Sequence, residues 1–381
     1  MLLNNVKLAL TASKVNIRVS DGKIAQISPH PFPATSEEFR VSFDNAIIFP
    51  GLINSHDHLD FNLFPALGDN TYKNYTEWGA YIHKNYKDKI AAVLKVPGPL
   101  RDQWGIYKNL ICGVTTVINH GKKIKDQSGL ITVYQDCQSI HSVQFEKKWK
   151  LALNNPLKKN IPVVIHTGEG TDVASLKEID KLISWNLLKR VLIGVHGVAI
   201  TENQVKSFRA LVWCPGSNYF LLNQTAPVNR LKKHTTLLFG TDSTLTGDWN
   251  IWSHIRLARK TKFLADKELY DTLTINAANT WKLNSGEIAE NKDADLVVAK
   301  MKNGSASNSF FETDPEDILM VIHKGKISLF DEELIAQLNS VKLENYSRIY
   351  INGTCKYIQG NLPELMQKIK QYYPEASFPV I

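Results

Sequence analysis

The sequence has no uninterrupted apolar stretch of about eighteen residues, so nothing in it reads as a membrane-spanning helix. Its first ten residues lack the basic start and long apolar run of a secretory leader, because Asn4 and Asn5 break the apolar stretch. Cysteine is scarce. Cys112, Cys137, Cys214 and Cys355 are widely scattered, with no CxxC pair. That pattern argues against a disulfide framework and a thiolate zinc site, and it points to reduced, mostly buried thiols in a cytoplasmic protein. No internal repeat or low-complexity segment is visible, which sets aside solenoids and interaction tails. No arginine-rich or aromatic-interleaved motif accompanies the charge, so nucleic acid is not an expected partner.

What is present fits a globular protein. Hydrophobic residues make up 43% and charged residues 22% of 381 positions, enough for one large domain with a satellite or for two ordinary domains. The net charge of +8 is concentrated: residues 84–160 hold fourteen Lys/Arg against five Asp/Glu. Such a stretch most often coats solvated helix faces. The alternative is a field that attracts an anionic small-molecule substrate. A homo-oligomer, a dimer, is the expected assembly.

The chain changes character twice. Residues 1–48 alternate apolar and polar in short runs, and Asp21-Gly22 between Val15–Val19 and Lys23–Ile27 is a hairpin signal. Residues 49–287 then alternate short apolar strands with helical stretches. The candidate strands are Ala46–Asn54, Val114–Asn119, Ile161–His166, Val191–His196, Ala210–Cys214 and Thr236–Thr241. Near-continuous apolar runs mark parallel strands buried on both faces, and this order suggests a (β/α)-barrel. Strand character returns over residues 288–350, in Ala294–Ala299 and Met320–Ile327. The two ends are therefore expected to pair into one composite β-sandwich beside the barrel. The last segment, 351–381, reads as a helical extension with an amphipathic helix near Leu362–Tyr373.

The chemistry lies where the strands end. His56 and His58 follow the apolar run Ile47–Asn54, and residues two apart in extended chain point the same way. His166 ends Ile161–Ile165, His196 ends Val191–Val195, and Asp242 follows Leu237–Thr241. In a barrel the C-terminal strand ends form the catalytic face. A lone histidine there is usually a satisfied core or surface residue. Three histidine-bearing ends and one aspartate-bearing end converge better on a metal ion, for which neutral imidazole and carboxylate are good ligands. The proposed ligands are His56, His58, His166 and Asp242. Zinc is the favoured divalent ion, with iron(II) the alternative.

These residues carry a resemblance. The His56-Asp57-His58 strand end, His166-Thr167-Gly168-Glu169, His196 and Gly240-Thr241-Asp242 look like the amidohydrolase superfamily. Their order is similar to that of its mononuclear deaminases and chlorohydrolases. Cys214-Pro215-Gly216-Ser217-Asn218 and Asn291-Lys292-Asp293-Ala294-Asp295-Leu296-Val297 resemble two further segments of that branch. The resemblance covers about residues 1–330 and implies a TIM (β/α)8-type barrel. It also implies roles: Glu169 as proton shuttle, His196 hydrogen-bonding the nucleophile or developing oxyanion, and Asp242 accepting a proton from the attacking water. Binuclear relatives would use His196 as a ligand with a bridging lysine or glutamate on the fourth strand. None is evident here, so one metal is expected.

Only forty-six residues separate Asn119 from His166, where relatives spend two full strand–helix units. A distorted barrel with an abbreviated or lost unit is therefore expected. His120 and His141 sit where substrate contacts would fall, and Asn218 is a further candidate. Trp78 belongs to a polar, aromatic loop with Tyr72, Tyr75 and Tyr81. Such rings anchor a loop more often than they grip a substrate. The function expected is hydrolysis at a carbon bonded to nitrogen in a cyclic or heteroaromatic compound, most simply deamination with release of ammonia. Hydrolysis of a cyclic or other amide is the alternative, and a non-catalytic metal-binding barrel is the reading from outside enzymology.

Overall fold

A computed structural model describes residues 1–33, 39–125, 128–339 and 341–381. The alternating N-terminal stretch forms β1 (Leu2–Leu8), β2 (Lys14–Ser20), β3 (Lys23–Ser28) and β4 (Arg40–Pro50). Asp21 and Gly22 both take positive φ, the backbone that a two-residue hairpin between twisted strands requires. The chain then leaves for the barrel strands β5 (Leu52–Asp57), β6 (Val114–Asn119), β7 (Thr132–Tyr134), β8 (Gln138–Ser142), β9 (Val163–Thr167), β10 (Leu192–His196), β11 (Ala210–Trp213) and β12 (Thr236–Phe239). It returns through β13 (Leu296–Lys300), β14 (Ile318–His323), β15 (Lys326–Asp331), β16 (Tyr346–Ile351) and β17 (Thr354–Gln359).

The two chain ends share one sheet of nine strands, in the order β16-β17-β15-β14-β13-β4-β1-β2-β3. Strand β13 lies antiparallel to β4 and joins the halves. One apolar cluster draws on both, including Val6, Ile17, Phe43, Ile48, Val298, Met320 and Phe330. The expected helical extension from residue 351 needs correction. Its first part, Thr354–Gln359, is a sheet strand, because Asn352-Gly353 turns the chain back on Tyr346–Ile351 as a hairpin. The amphipathic helix follows at Leu362–Tyr372, burying Leu362, Leu365 and Ile369.

The run read as a single strand through Ala46–Asn54 divides at Gly51. β4 stays in the nine-stranded sheet, whereas β5 enters the barrel. A Cβ at Gly51 would lie 2.2 Å from Thr115 Oγ1, so only glycine lets the chain cross between domains this close to β6. The Gly51 N–H donates to the Asp295 carbonyl, and the Asp295 carboxylate accepts from the Lys324 N–H and faces His323 Nδ1. The Asp295 motif is thus a clasp where the barrel meets the sheet.

Among the described residues eight barrel strands follow in chain order, with β7 and β8 both between Asn119 and His166. What is missing there, among the described residues, is a helix between β6 and β8. β7 and β8 are joined by only three residues, too short for a helical crossover, and they belong to different sheets. The wall is consequently two arcs, β5-β6-β7 and β8-β9-β10-β11-β12, and it closes where Asp57 bridges Asp242 in parallel. Alternate residues divide between the interior (Ile53, Val164, Val195, Val212, Leu238) and the layer under the helices (Leu52, Val163, Ile165, Leu211, Leu237). All four cysteines are free and buried. Among the described residues no helix is long and apolar enough to cross a membrane.

Candidate active site

The pairing register of β5 against β6 shifts between Asn54 and Asp57, an irregularity that helps aim side chains into the barrel mouth. His56 and His58 emerge there. Their Nε2 atoms lie 3.0 and 3.4 Å from His166 Nε2 at the end of β9. Asp242 Oδ1 lies 3.6 Å from His56 Nε2 and 3.5 Å from His58 Nε2. Ligands about 2.1 Å from a tetrahedral zinc ion are themselves about 3.4 Å apart, and these four contacts lie near that spacing. The Asp242 Oδ2 atom is already engaged, accepting from Ser217 Oγ at 2.8 Å and Thr246 Oγ1 at 2.9 Å. Its Oδ1 atom is left to face the histidines.

The electrostatics suit cation binding. Burial raises the Asp242 carboxyl, but the neighbouring His56, His58 and His196 outweigh it and hold the group below the usual carboxylate range. Burial holds His58, His120 and His166 below the ordinary histidine value, so their rings are neutral. His196 is pushed down to about 4, chiefly by burial and against the pull of Asp242. His196 and Asp242 both occupy the left-handed region, with φ of 69° and 61°. Non-glycine residues rarely stay there unless surrounding contacts hold them, and such strain clusters at functional sites.

His196 Nδ1 lies 2.9 Å from Asn218 Oδ1, while Asn218 Nδ2 donates to Thr225. The imidazole proton is thereby placed on Nδ1, and Nε2 presents a lone pair to the cavity, 3.6 Å from Glu169 Oε2. Glu169 is buried, and desolvation, followed by the charges of Asp242 and Glu178, holds its carboxyl well above its ordinary value. Its surroundings thus favour the protonated form of the acid.

The remaining candidates separate. His120 joins the cluster: its ring stacks on His166 at 4.6 Å, and both its nitrogens are buried without a protein partner. His141 ends β8, the fourth barrel strand, with its ring 4.9 Å from that of His166. Asn218 is fully buried and spends its amide on His196 and Thr225, so it orients the imidazole instead of contacting a substrate. Trp78 donates to the Leu67 carbonyl and packs with Tyr72, Leu221 and Leu222. It anchors the loop, as rings in such loops usually do.

Residues 149–328 match the Amidohydrolase family. A 5'-deoxyadenosine deaminase of Methanosphaera stadtmanae is 24% identical over 388 residues, covering 84% of this chain and 91% of that protein. A 5-methylthioadenosine/S-adenosylhomocysteine deaminase of Caldicellulosiruptor saccharolyticus is 21% identical, with 84% and 90% covered. Among solved structures, a zinc-bound adenosine deaminase from Xanthomonas campestris superposes with a TM-score of 0.74 at 17% identity, over 98% of both chains. In fold, and over these matched residues, the chain is similar to deaminases of the amidohydrolase superfamily.

Beneath the candidate ligands the chain carries a polar floor that sequence reasoning passed over. Asp57, between the two histidines, is fully buried and accepts from Asn62 at 2.7 Å, Asn109 at 2.8 Å, Lys108 at 3.0 Å and Asn54 at 3.1 Å. Asn54 Oδ1 also accepts from the Thr241 N–H, and the His56 carbonyl accepts from the N–H groups of Thr241 and Asp242. Strands β5 and β12 are thus locked together under the candidate metal ligands. Lys108 and Asn109 lie on the helix Gly98–Ile111, whose apolar pattern hides two polar residues aimed inward. Their one sequence signal is polarity on a buried face. Ser217 was within a quoted motif, but its contact with Asp242 depends on how β11 and β12 pair.

Proposed function

We propose that this chain is a metal-dependent aminohydrolase that releases ammonia from a 6-aminopurine nucleoside or a related heteroaromatic amine. The observation that carries the reading is the buried Glu169 carboxyl, 3.6 Å from His196 Nε2 and in a group with His166 and His196, beside the overlapping groups His56-His58-Asp242 and His56-His120-His166. The relatives named above, deaminases of adenosine derivatives, support the choice of substrate class. One zinc ion is the preferred metal. β8 carries neither lysine nor glutamate that could bridge a second ion.

His56, His58, His166 and Asp242 would hold the ion, which when bound acidifies a water and so supplies a nucleophile at neutral pH. The protein residues then manage the protons. His196 Nε2 accepts a hydrogen bond from the attacking water, its ring kept in that tautomer by Asn218. Asp242 takes the proton of that water, with Ser217 and Thr246 steadying its far oxygen. Glu169 donates its proton to a ring nitrogen of the substrate, which makes the adjacent carbon electrophilic. As the tetrahedral adduct collapses, its hydroxyl proton returns to Glu169 and the proton held by Asp242 passes to the departing amine, which leaves as ammonia. His120 and His141, on the neighbouring strand ends, are placed to contact the ring.

The test is purified protein loaded with zinc or iron(II) and assayed for ammonia across adenine nucleosides, guanine, cytosine and aminotriazines. Glu169→Gln should reduce kcat by two to four orders of magnitude, the usual size of a general acid–base contribution, and leave metal content unchanged. Hydrolysis of lactams or amides without ammonia release from any amine would replace this reading. Full activity in Glu169→Gln would remove its shuttle role.

A further inference from the structure

We infer that Glu178 and Tyr75 are positioning residues for Glu169, tying the turn that carries it to the loop that follows the His56-Asp57-His58 strand. The inference rests on the reading of Glu169 as proton carrier. Glu178 lies on the helix Val173–Ser184, and Tyr75 opens the helix Tyr75–Asn85. The Gly168 N–H donates to Glu178 Oε1 at 2.9 Å, and the Tyr75 hydroxyl donates to Glu178 Oε2 at 3.1 Å. The Tyr75 N–H donates in turn to the Glu169 carbonyl at 3.1 Å. The backbone of Glu169 is therefore held on both sides.

The tie extends further. Asn74 bridges Gly170 in antiparallel fashion, the Thr171 N–H donates to the Lys73 carbonyl at 2.8 Å, and Asn74 Nδ2 donates to Asp172 at 2.6 Å. Residues 73–75 are thus zipped along residues 169–172. Gly168 makes the turn possible. Its φ is 59°, and a Cβ there would sit 2.8 Å from Ile179 Cδ1 on the helix that supplies Glu178.

Glu178 is an odd residue for mere packing. It is buried, and among the described residues no lysine or arginine pairs with it. Desolvation, with a contribution from Asp172, pushes its carboxyl up to about 7 against the hydrogen bonds of Gly168 and Tyr75. An apolar side chain would fill the same space without burying a carboxyl. What only an acceptor-bearing side chain supplies is a bridge between two loops at Glu169. Small errors in placing a proton donor cost large factors in rate, whereas uniform substrate binding is barely touched.

The experiment compares Glu178→Leu, Glu178→Gln and Tyr75→Phe with the wild type, all zinc-loaded. Glutamine keeps an acceptor for Gly168 and can donate to the Tyr75 oxygen, so it should rescue function to within about threefold. Leucine should lower kcat about a hundredfold, and phenylalanine by less, with KM and zinc content unchanged in both. Exchange of the Gly168 amide, followed by NMR, should stay slow in the wild type and Glu178→Gln and become fast in Glu178→Leu. Unchanged kcat in both disruptive variants, or a glutamine variant as poor as leucine, would overturn the inference. If leucine prevents folding, Tyr75→Phe against Glu178→Gln decides it. Should the wild type release ammonia from no amine, the functional reading fails by itself. The tether is then judged on amide exchange, and a slow Gly168 amide in Glu178→Leu refutes it.

Discussion

The buried pair of Lys108 and Asp57 offers a demanding test of the site's construction. The Lys108 side chain is 2% exposed and that of Asp57 0%, with Nζ and Oδ2 3.0 Å apart. Lys108→Met keeps the stem and removes the charge, stranding a carboxylate in the barrel. Breaking a buried ion pair by removing one partner typically costs about 3–5 kcal/mol. Asp57 retains the amide donors of Asn54, Asn62 and Asn109, each a charge-assisted hydrogen bond, so the cost should fall near the lower limit, about 3 kcal/mol. Because Asp57 stands between His56 and His58, the proposed metal ligands, zinc affinity should also drop about tenfold or more. Urea unfolding of the zinc-saturated protein, followed by near-ultraviolet circular dichroism, measures the first effect, and competition with a chromophoric chelator measures the second. The double variant Asp57→Asn/Lys108→Met removes both charges and should recover about 2 kcal/mol relative to simple addition of the single losses. A loss below about 1 kcal/mol in Lys108→Met, the size of an exposed pair, would refute the reasoning. So would strict additivity in the cycle.

Two other predictions concern the ligands. Ser217→Ala/Thr246→Val removes both donors to Asp242 Oδ2 and should weaken zinc binding about 10- to 100-fold, measured by chelator competition; wild-type affinity would show that neither hydroxyl orients the carboxylate. The metal-free protein should lose stability on acidification. His58, His120, His166 and His196 are held below their unfolded value near 6.5, so the unfolded chain takes up protons first, and the stability present above about 6.5 declines as pH falls toward the value of about 4 held by His196. Urea midpoints measured in chelator from pH 7.5 to 4.5 check this, and a flat profile contradicts it.

Much of the chemistry could be read without a structure, and the reason is local. His56, His58, His166, His196 and Asp242 each follow a short apolar run, and such runs declare both the strand and its end. Once the barrel is inferred, all strand C-termini share one face. Glu169 followed from its spacing to His166. The residues that were missed or misassigned share the opposite property. Lys108 and Asn109 approach the site from a helix some fifty residues away, and nothing in their own segment says which turn faces inward. Asn218 and Trp78 have side chains suited to substrate, yet their neighbours are His196, Thr225, Leu67 and Leu221. Only the packing of those elements could say so.

The sequence by itself determined the composite domain from two chain ends, the parallel barrel, and which polar residues stand at its C-terminal strand ends, because periodicity and residue type act over a few neighbouring positions. Tertiary structure decided the rest. Of the two outcomes expected before His166, an abbreviated or a lost unit, it chose the abbreviated one: β7 and β8 are both present, and among the described residues no helix lies between β6 and β8. It split one apolar run between two sheets at Gly51, because Thr115 leaves no space for a side chain there. It also set the candidate ligand atoms of His56, His58, His166 and Asp242 in contacts of 3.0 to 3.6 Å, a spacing that depends on strand pairing, above the buried pair of Lys108 and Asp57.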